Sequence, residues 1–328
     1  MGLRLDKPKL SLFFLCFLSF FLFTERGFSQ EEDIAKYPRR PINFIIPIPA
    51  GGPTDLSLRL ICKESEKILG QPIVIVNKPG AGQSIGMAAI AAAKPDGYTI
   101  GQSGNSGLLL VPHIEKVPYH PIKDFKQIIQ CGGFNFGVIV KSDSPFKSFK
   151  ELITFARQNP KKLTYGSTVN SIQYLIVEQI AKKEKAQFTH IPFKGTPEVE
   201  AALLGGHILF GVGDFSYAQV EAGQTRVILL LREEHSVEYP DTPILKDLGY
   251  DDVPAPYYLG ICGPKGIPEG IAKKLEEAFT KAMKEPTFIR GMKEVRLPII
   301  YRSGKELDDY VAYNHEVFGK IFKEIQKK

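Results

Sequence analysis

Residues Asn43 to Arg59 read NFIIPIPAGGPTDLSLR. Phe44 to Ile46 has the apolar run of a buried strand, the Pro/Gly stretch after it a loop, and Thr54 or Asp55 the opening of a helix. The same order returns at Ile73 to Ala93, IVIVNKPGAGQSIGMAAIAAA. Strand, glycine loop and helix start together place unbonded N–H groups and the positive end of a helix dipole at one point, which outlines an anion site. Two such loops at the C-terminal ends of parallel strands can face one crevice. Glycine-rich βα loops are also ordinary turn chemistry, and either loop alone leaves both readings open.

Outward from these loops, the N-terminus reads as a leader. Arg4, Lys7 and Lys9 precede the apolar run Leu10 to Phe23, and Gly27 and Ser29 suit a cleavage site that leaves Gln30 first. The other reading is an uncleaved anchor, for which the run is short. Cys16 lies inside the apolar run with no small residues before it, so a lipoprotein signal is weak. Cleavage leaves 328 − 29 = 299 residues, room for two domains with separate cores. The net charge of +6 falls to about +4, because the leader holds Arg4, Lys7, Lys9 and Arg26 against Asp6 and Glu25. No basic stripe with interleaved aromatics is present, which argues against nucleic acid. Cys62, Cys131 and Cys262 sit in apolar settings and read as core residues. Their odd number leaves at least one unpaired, with one disulfide open in an oxidising compartment.

Strands and helices alternate along the chain, which gives an α/β fold with mainly parallel sheets and flanking helices. The first helix runs from Asp55 to about Leu69 and stops at Gly70. Tyr98 to Gly101 is a strand ending in the small-residue loop GQSGNSG, which holds Ser103 and Asn105. Val138 to Val140, Leu163 to Tyr165, Phe188 to Ile191, Ile208 to Val212, Val227 to Leu231 and Tyr257 to Cys262 read as further strands. Ser148 with Glu151 and Ser303 with Glu306 are capping boxes. Thr196 and Pro197 open another helix.

Catalytic and metal signatures are missing. The six histidines are scattered, without zinc-type spacing. There is no G-x-S-x-G elbow and no Walker A lysine. Gly80, Gly82 and Gly86 imitate a dinucleotide fingerprint. The loop, however, follows a second strand, carries Pro79, and has no acidic residue at the end of a following strand; Asp96 sits in a turn.

Taken in order, IPIPAGGPTD, VNKPGAGQSIG, KPDGYTI, HIPFKGTPEVEAALLGGHI and ICGPKGIP resemble the periplasmic solute receptors of tripartite tricarboxylate transporters, the Bug-type proteins. The resemblance runs from about Tyr37 to the C-terminus. It implies a two-lobed, hinged periplasmic binding protein of type II-like architecture that delivers small organic acids to a membrane permease. On this likeness lobe one is residues 37–138 with 257–328 and lobe two is 139–256, with crossings near Val138–Lys141 and Pro254–Tyr258. The ligand carboxylate is expected at Pro49, Ala50, Gly51, Gly52, Thr54 and Asp55 of the first loop and at Gly80, Ala81, Gly82 and Gln83 of the second. Ser103 and Asn105 of the third loop complete that half. Lobe two is expected to close with Ser167, Thr168, Asn170 and Ser171, with Phe193, Lys194 and Gly195, and with Asp214.

The sequence departs from the family pattern at several of these positions. Pro53 replaces a third glycine and removes an N–H. Gln83 replaces a glycine and adds an amide. The Tyr165-Gly166-Ser167-Thr168-Val169-Asn170-Ser171 loop is one residue short, and Phe193 lacks a tyrosine hydroxyl. The expectation is a monomeric receptor without metal, nucleotide or other cofactor. A receptor that presents its ligand to a sensor is the alternative. A secreted enzyme would need a nucleophile and base that the sequence does not supply.

Overall fold

The computed structural model describes Gly2 and residues 34–168 and 171–325. Contacts divide the chain into residues 1–37 and 38–328. Of the first unit, only Gly2 and residues 34–37 are described, the latter including a single 3₁₀ turn, Ile34–Lys36. Apart from Gly2, the leader lies outside the described residues.

The second unit contains two α/β lobes. Strand β1 (Ile42–Ile46) lies between β2 (Ile73–Asn77) and β3 (Thr99–Ser103), parallel to both. Flanked on both edges and covered on both faces, it is nearly all apolar, as buried parallel strands are. Helix α1 (Pro53–Leu69) connects β1 to β2. Pro53 stands in its first turn, where a missing N–H costs nothing, and Gly70 ends it with φ 70° and an N–H bond to the Glu66 carbonyl. Helix α2 (Ser84–Ala91) connects β2 to β3. A π-helical turn, Ser106–Leu110, then runs into the short helix α3 (Val111–Ile114).

Strand β4 (Phe125–Gly133) belongs to this first sheet and β5 (Gly137–Lys141) to the second, so the chain passes between sheets through Phe134, Asn135 and Phe136. The second sheet is built from β5, α4 (Phe149–Gln158), β6 (Leu163–Thr168), α5 (Ile172–Glu184), β7 (Phe188–Phe193), α6 (Thr196–Leu204), β8 (Phe210–Gly213), α7 (Tyr217–Glu221) and β9 (Thr225–Leu230). The chain returns through β10 (Tyr258–Pro264), α8 (Glu269–Ala282), α9 (Pro286–Glu294), β11 (Arg302–Ser303) and α10 (Gly304–Ile325). Strand order is β11-β4-β10-β3-β1-β2 in the six-stranded sheet and β7-β6-β8-β5-β9 in the five-stranded one.

Both sheets are mixed, which narrows the expectation of mainly parallel pairing. β1, β2 and β3 run parallel, as do β6, β7 and β8, while β10 and β4 pair antiparallel, as β5 does with β8 and β9. Against their neighbours, β10 and β11 run reversed in the first sheet and β5 in the second. Strand β4 and helix α9 escape the sequence pattern. FKQIIQCGG interrupts its apolar residues with Lys126 and Gln127, and α9 buries little beyond Phe288, Gly291 and Met292.

A core cluster includes Leu108, Leu152, Leu163, Tyr165, Phe210, Cys262 and Phe318, each under 1% exposed. Each large apolar side chain buried to this degree contributes about 1.5–3 kcal/mol. Another cluster, around Ile139, Leu203 and Leu230, lies within the second lobe. Cys62, Cys131 and Cys262 are all buried free thiols. Among the described residues, no helix is long and apolar enough to cross a membrane, and no group of His, Cys, Asp or Glu could hold a metal ion.

Candidate functional site

The first glycine loop is shaped from behind by Asp55, on the opening turn of α1. Its carboxylate accepts from the Gly51 N–H (2.9 Å), Arg59 Nε (2.8 Å) and Asn77 Nδ2 (2.9 Å). Asn77, at the end of β2, also donates to the Ile48 carbonyl and accepts from Arg59 Nη2. Burial pushes the Asp55 pKa up, but these hydrogen bonds and the Arg59 charge outweigh it and hold the carboxyl below its ordinary value. Asp55 thus reaches back one residue beyond the helix cap, Gly52, and takes the N–H of Gly51 for itself. Gly51 has φ 95°, and a Cβ there would meet nothing within 4 Å, so its glycine is required by backbone conformation and not by close approach.

The second loop is strained over four consecutive residues, with φ 125° at Gly80, 44° at Ala81, 58° at Gly82 and 77° at Gln83. Ala81 and Gln83 adopt a region that L residues seldom occupy. Gln83 is held there by its side chain, whose Oε1 accepts from the N–H groups of Ser106 (3.1 Å) and Gly107 (3.4 Å). One amide therefore caps the π-helical turn and ties the second loop to the third. A Cβ on Gly82 would stand 2.6 Å from Val111 Cγ2. The third loop is pinned at its other side, where Asn105 donates to the Tyr258 carbonyl (2.8 Å) and accepts from the Tyr258 N–H (3.3 Å).

Between the lobes lies a cleft of about 610 Å³. From the expected residues of lobe one, Thr54, Ala81, Gly82, Gln83 and Asn105 line it. Thr168, Ser171 and Asp214 line it from the second lobe. Ser171 caps α5, its Oγ accepting from the Tyr174 N–H at 3.2 Å, and Ile172 and Gln173 of the same first turn also face the cleft. Thr196, the first residue of α6, does so too. The starts of α1, α5 and α6, and the strained turn before α2, therefore converge on one space.

The remaining expected residues stand outside the lining. Pro49, Ala50, Gly51, Gly52 and Asp55 form and brace the first loop, and Gly80 opens the second. Ser103 is buried against Tyr258. Ser167 is 0% exposed and hydrogen-bonds His190 Nε2 at 2.8 Å, a pair enclosed between Tyr165 and Tyr174. Burial lowers the His190 pKa, against the hydrogen bond at Ser167. Phe193, at the end of the edge strand β7, packs its ring over Gly166. Lys194 is exposed, and its backbone N–H is taken by Glu198. Gly195 is the cap of α6, one residue short of the lining. Asn170 lies outside the described residues.

Sequence reasoning missed an aromatic wall and a floor group. Phe134 and Phe136, on the first passage between sheets, stack with centroids 5.5 Å apart, and Tyr257, next to the return strand, packs tilted against Phe136 at 4.3 Å; all three line the cleft. The signal was the pair of aromatics in CGGFNFG, between the glycines that end β4 and begin β5. Gln102, on β3, is 1% exposed; its Oε1 and the Tyr257 hydroxyl are buried without a protein partner, and both residues line the cleft. Asp214 is open to the cleft yet ringed by protein. That surrounding pushes its carboxyl up to about 6, opposed by the Phe215 N–H (3.0 Å) and aided by the nearby Glu200 carboxylate. Among the described residues, no Lys, Arg or His lines the cleft, whereas Glu115 and Asp214 do.

Behind the wall, a polar network spans the two lobes. Asn135 donates to the Arg296 carbonyl (3.0 Å) and accepts from Arg232 Nη1 (2.7 Å). Tyr217 donates to the same carbonyl (3.0 Å), and Arg296 pairs with Glu221 at 2.8 Å.

The profile of the tripartite tricarboxylate transporter family receptor matches residues 58–327. The chain is similar to the UPF0065 protein in gbd 5'region of Cupriavidus necator, 37% identical over 279 residues that cover 84% of this chain and 85% of that one. Among solved structures, it resembles a TctC solute binding protein from Polaromonas, with TM-score 0.77, 26% identity, and 88% and 99% of the two chains covered. It also resembles the periplasmic binding protein BugD, with TM-score 0.69, 26% identity, and 88% and 98% covered.

Proposed function

Because the chain belongs to the tripartite tricarboxylate transporter receptor family, we propose that it captures a small organic carboxylate in the cleft between its lobes and delivers it to the membrane permease of such a transporter. The protein is a periplasmic solute-binding receptor and not an enzyme. In our reading it is exported by the leader, cleaved near Ser29, and acts as a monomer without metal or cofactor.

The observation that carries the carboxylate is the convergence of helix starts on a cleft lined, among the described residues, by no cationic side chain. First-turn N–H groups have no partner within their own helix, and the dipole there favours negative charge. A carboxylate bound in this way needs no lysine or arginine. Thr54, Ala81, Gly82 and Gln83 would receive it in lobe one, and Thr168, Ser171 and Thr196 would approach from lobe two.

The passages at Phe134–Phe136 and between Leu230 and Tyr258 serve in this proposal as the hinge. A few backbone angles there can absorb a large rotation. A ligand that touches both lobes favours closure only by the contacts it adds in the closed form. The test is mass spectrometry of small molecules released by denaturing the purified protein, followed by calorimetry with a panel of carboxylates, amines and sugars. Heat with carboxylates is expected; heat only with amines or sugars would overturn the assignment.

A further inference from the structure

We propose that His113 and His315 are positioning residues for solute capture: they form an acid-released clasp that holds one wall of the cleft against the C-terminal helix. Neither histidine lines the cleft, and the clasp acts whichever solute the cleft takes.

The wall is the π-helical turn Ser106–Leu110 with α3, from which Ser106, Leu110, Val111 and Ile114 line the cleft. Helix α10 packs behind it. His113, on α3, lies over His315, on α10, with ring centroids 4.3 Å apart and planes 25° from parallel. His113 Nε2 donates to the His315 carbonyl (3.0 Å), and His315 Nδ1 donates to the Leu108 carbonyl (2.8 Å). A carbonyl only accepts, so each of these ring nitrogens carries a hydrogen. Pro112 has no N–H to offer the Leu108 carbonyl four residues back, and His315 supplies that donor.

A second observation shows that α10 is shaped to receive the ring. Gly319 stands inside this helix, where glycine is unfavourable. A Cβ there would stand 2.9 Å from His113 Cε1, so the missing side chain is the socket for the imidazole. Phe322 stacks on the same ring at 5.9 Å.

Protonating either ring adds charge to a half-buried stack. Burial and the neighbouring His315 push the His113 pKa down to about 4, and burial also lowers that of His315. Lys323 of α10 acts on His113, and His120, beyond α3, acts on His315; both oppose protonation. Of the nearby acids, Glu316 of α10 pairs with Lys320 (2.8 Å) and Glu115 is exposed at the end of α3. A released His113 regains its ordinary value of about 6.5. The clasp is therefore at full strength above about 6.5 and weakens as pH falls toward about 4. At pH 5 the released form gains about twentyfold relative to pH 7.

The test is hydrogen exchange read by mass spectrometry at pH 7 and pH 5, corrected for intrinsic rates, on protein expressed from the full chain and refolded to strip bound solute. The reporters are peptides carrying the amides of Leu108, Val111 and Glu115, which donate to the carbonyls of Gly104, Ser106 and Val111. Their protection should fall about tenfold at pH 5 in wild type. The double variant His113→Gln with His315→Asn keeps an N–H near each donor position but does not titrate, and should hold its protection at both pH values. Either single variant, in which the loss should be smaller than in wild type, supplies the same comparison if the double variant does not fold. Wild-type protection unchanged at pH 5, or an equal loss in wild type and variant, would overturn the clasp. Either result would leave the carboxylate reading standing.

Discussion

Asp55 belongs to the expected ligand loop, yet as a like charge it is expected to serve its own helix start and not to touch a plain carboxylate; in the structure it braces the first loop, so its replacement should cost stability and not specificity. Asp55→Ala leaves the Gly51 N–H, Asn77 Nδ2 and Arg59 Nε without their acceptor. Each bond to a charged group is worth about 1.5–3 kcal/mol. Arg59 is 41% exposed and regains water, so its share is discounted. The sum is about 3–5 kcal/mol, the range for breaking a buried charged group from its partners. For a chain of this length it lowers Tm by roughly 5–8 °C. Asp55→Asn keeps one carbonyl acceptor but turns a donor toward other donors, and should cost about 2 kcal/mol. The assay is thermal unfolding of stripped protein beside calorimetry with whichever carboxylate binds wild type. Asp55→Asn should lower Tm and change affinity by no more than about threefold. The pH sign follows from the depressed carboxyl. Its contribution is present above the unfolded value of about 4 and is lost as pH falls through the still lower folded value, so Asp55→Asn should flatten the acid limb of stability. A hundredfold loss of affinity with Tm unchanged would refute the brace and return Asp55 to the ligand.

Gly82→Ala places a Cβ 2.6 Å from Val111 Cγ2 at φ 58°, and should lose about 1–2 kcal/mol of stability together with most ligand affinity; unaltered calorimetry would show that the carboxylate is held elsewhere. Asp214 behaves oppositely to Asp55: its raised carboxyl favours the apo fold below the unfolded value of about 4, an advantage lost as pH rises through about 6, so urea midpoints of wild type should decline across that window more than those of Asp214→Asn. Ligand at a hundredfold excess over its Kd should add about 2.7 kcal/mol of stability, and small-angle scattering should record a smaller radius of gyration; an unchanged radius at proven saturation would exclude lobe closure. Tyr217→Phe removes one donor to the Arg296 carbonyl and should shift the apo radius or the closing equilibrium without touching the cleft lining; identical scattering and affinity would exclude the inter-lobe network as a brake on motion.

The glycine loops were legible because the chain pays attention to φ in its spelling: Gly51, Gly80 and Gly82 all require the left-handed side. Helix starts were legible for the same local reason, through Pro53, Ser171 and Thr196. What stayed hidden depends on partners distant in sequence. Asn77 braces Asp55 from the next strand, Gln83 reaches Ser106 across the intervening β3, and the aromatic wall joins Phe136 to Tyr257. No local pattern encodes those meetings. Phe193 was misplaced because β7 is an edge strand whose last ring turns to Gly166, which brings Thr196 and not Phe193 to the cleft. The reversed strands β5, β10 and β11 escaped for a similar reason, since a strand's direction depends on how the chain enters the sheet and not on its own residues.

The brace behind the first loop has a consequence for re-engineering. Asp55, Asn77 and Arg59 set the loop's posture from positions outside the cleft lining, while Gln102, Gln173, Thr196 and Asp214 line the cleft without serving as loop struts. Posture and chemistry are thus written in separate letters of the sequence. A combinatorial library confined to the second group can recode what the receptor accepts on an unaltered frame. Gln83 is the letter shared by both scripts, lining the cleft while capping the next loop, and is the position such a library should leave fixed.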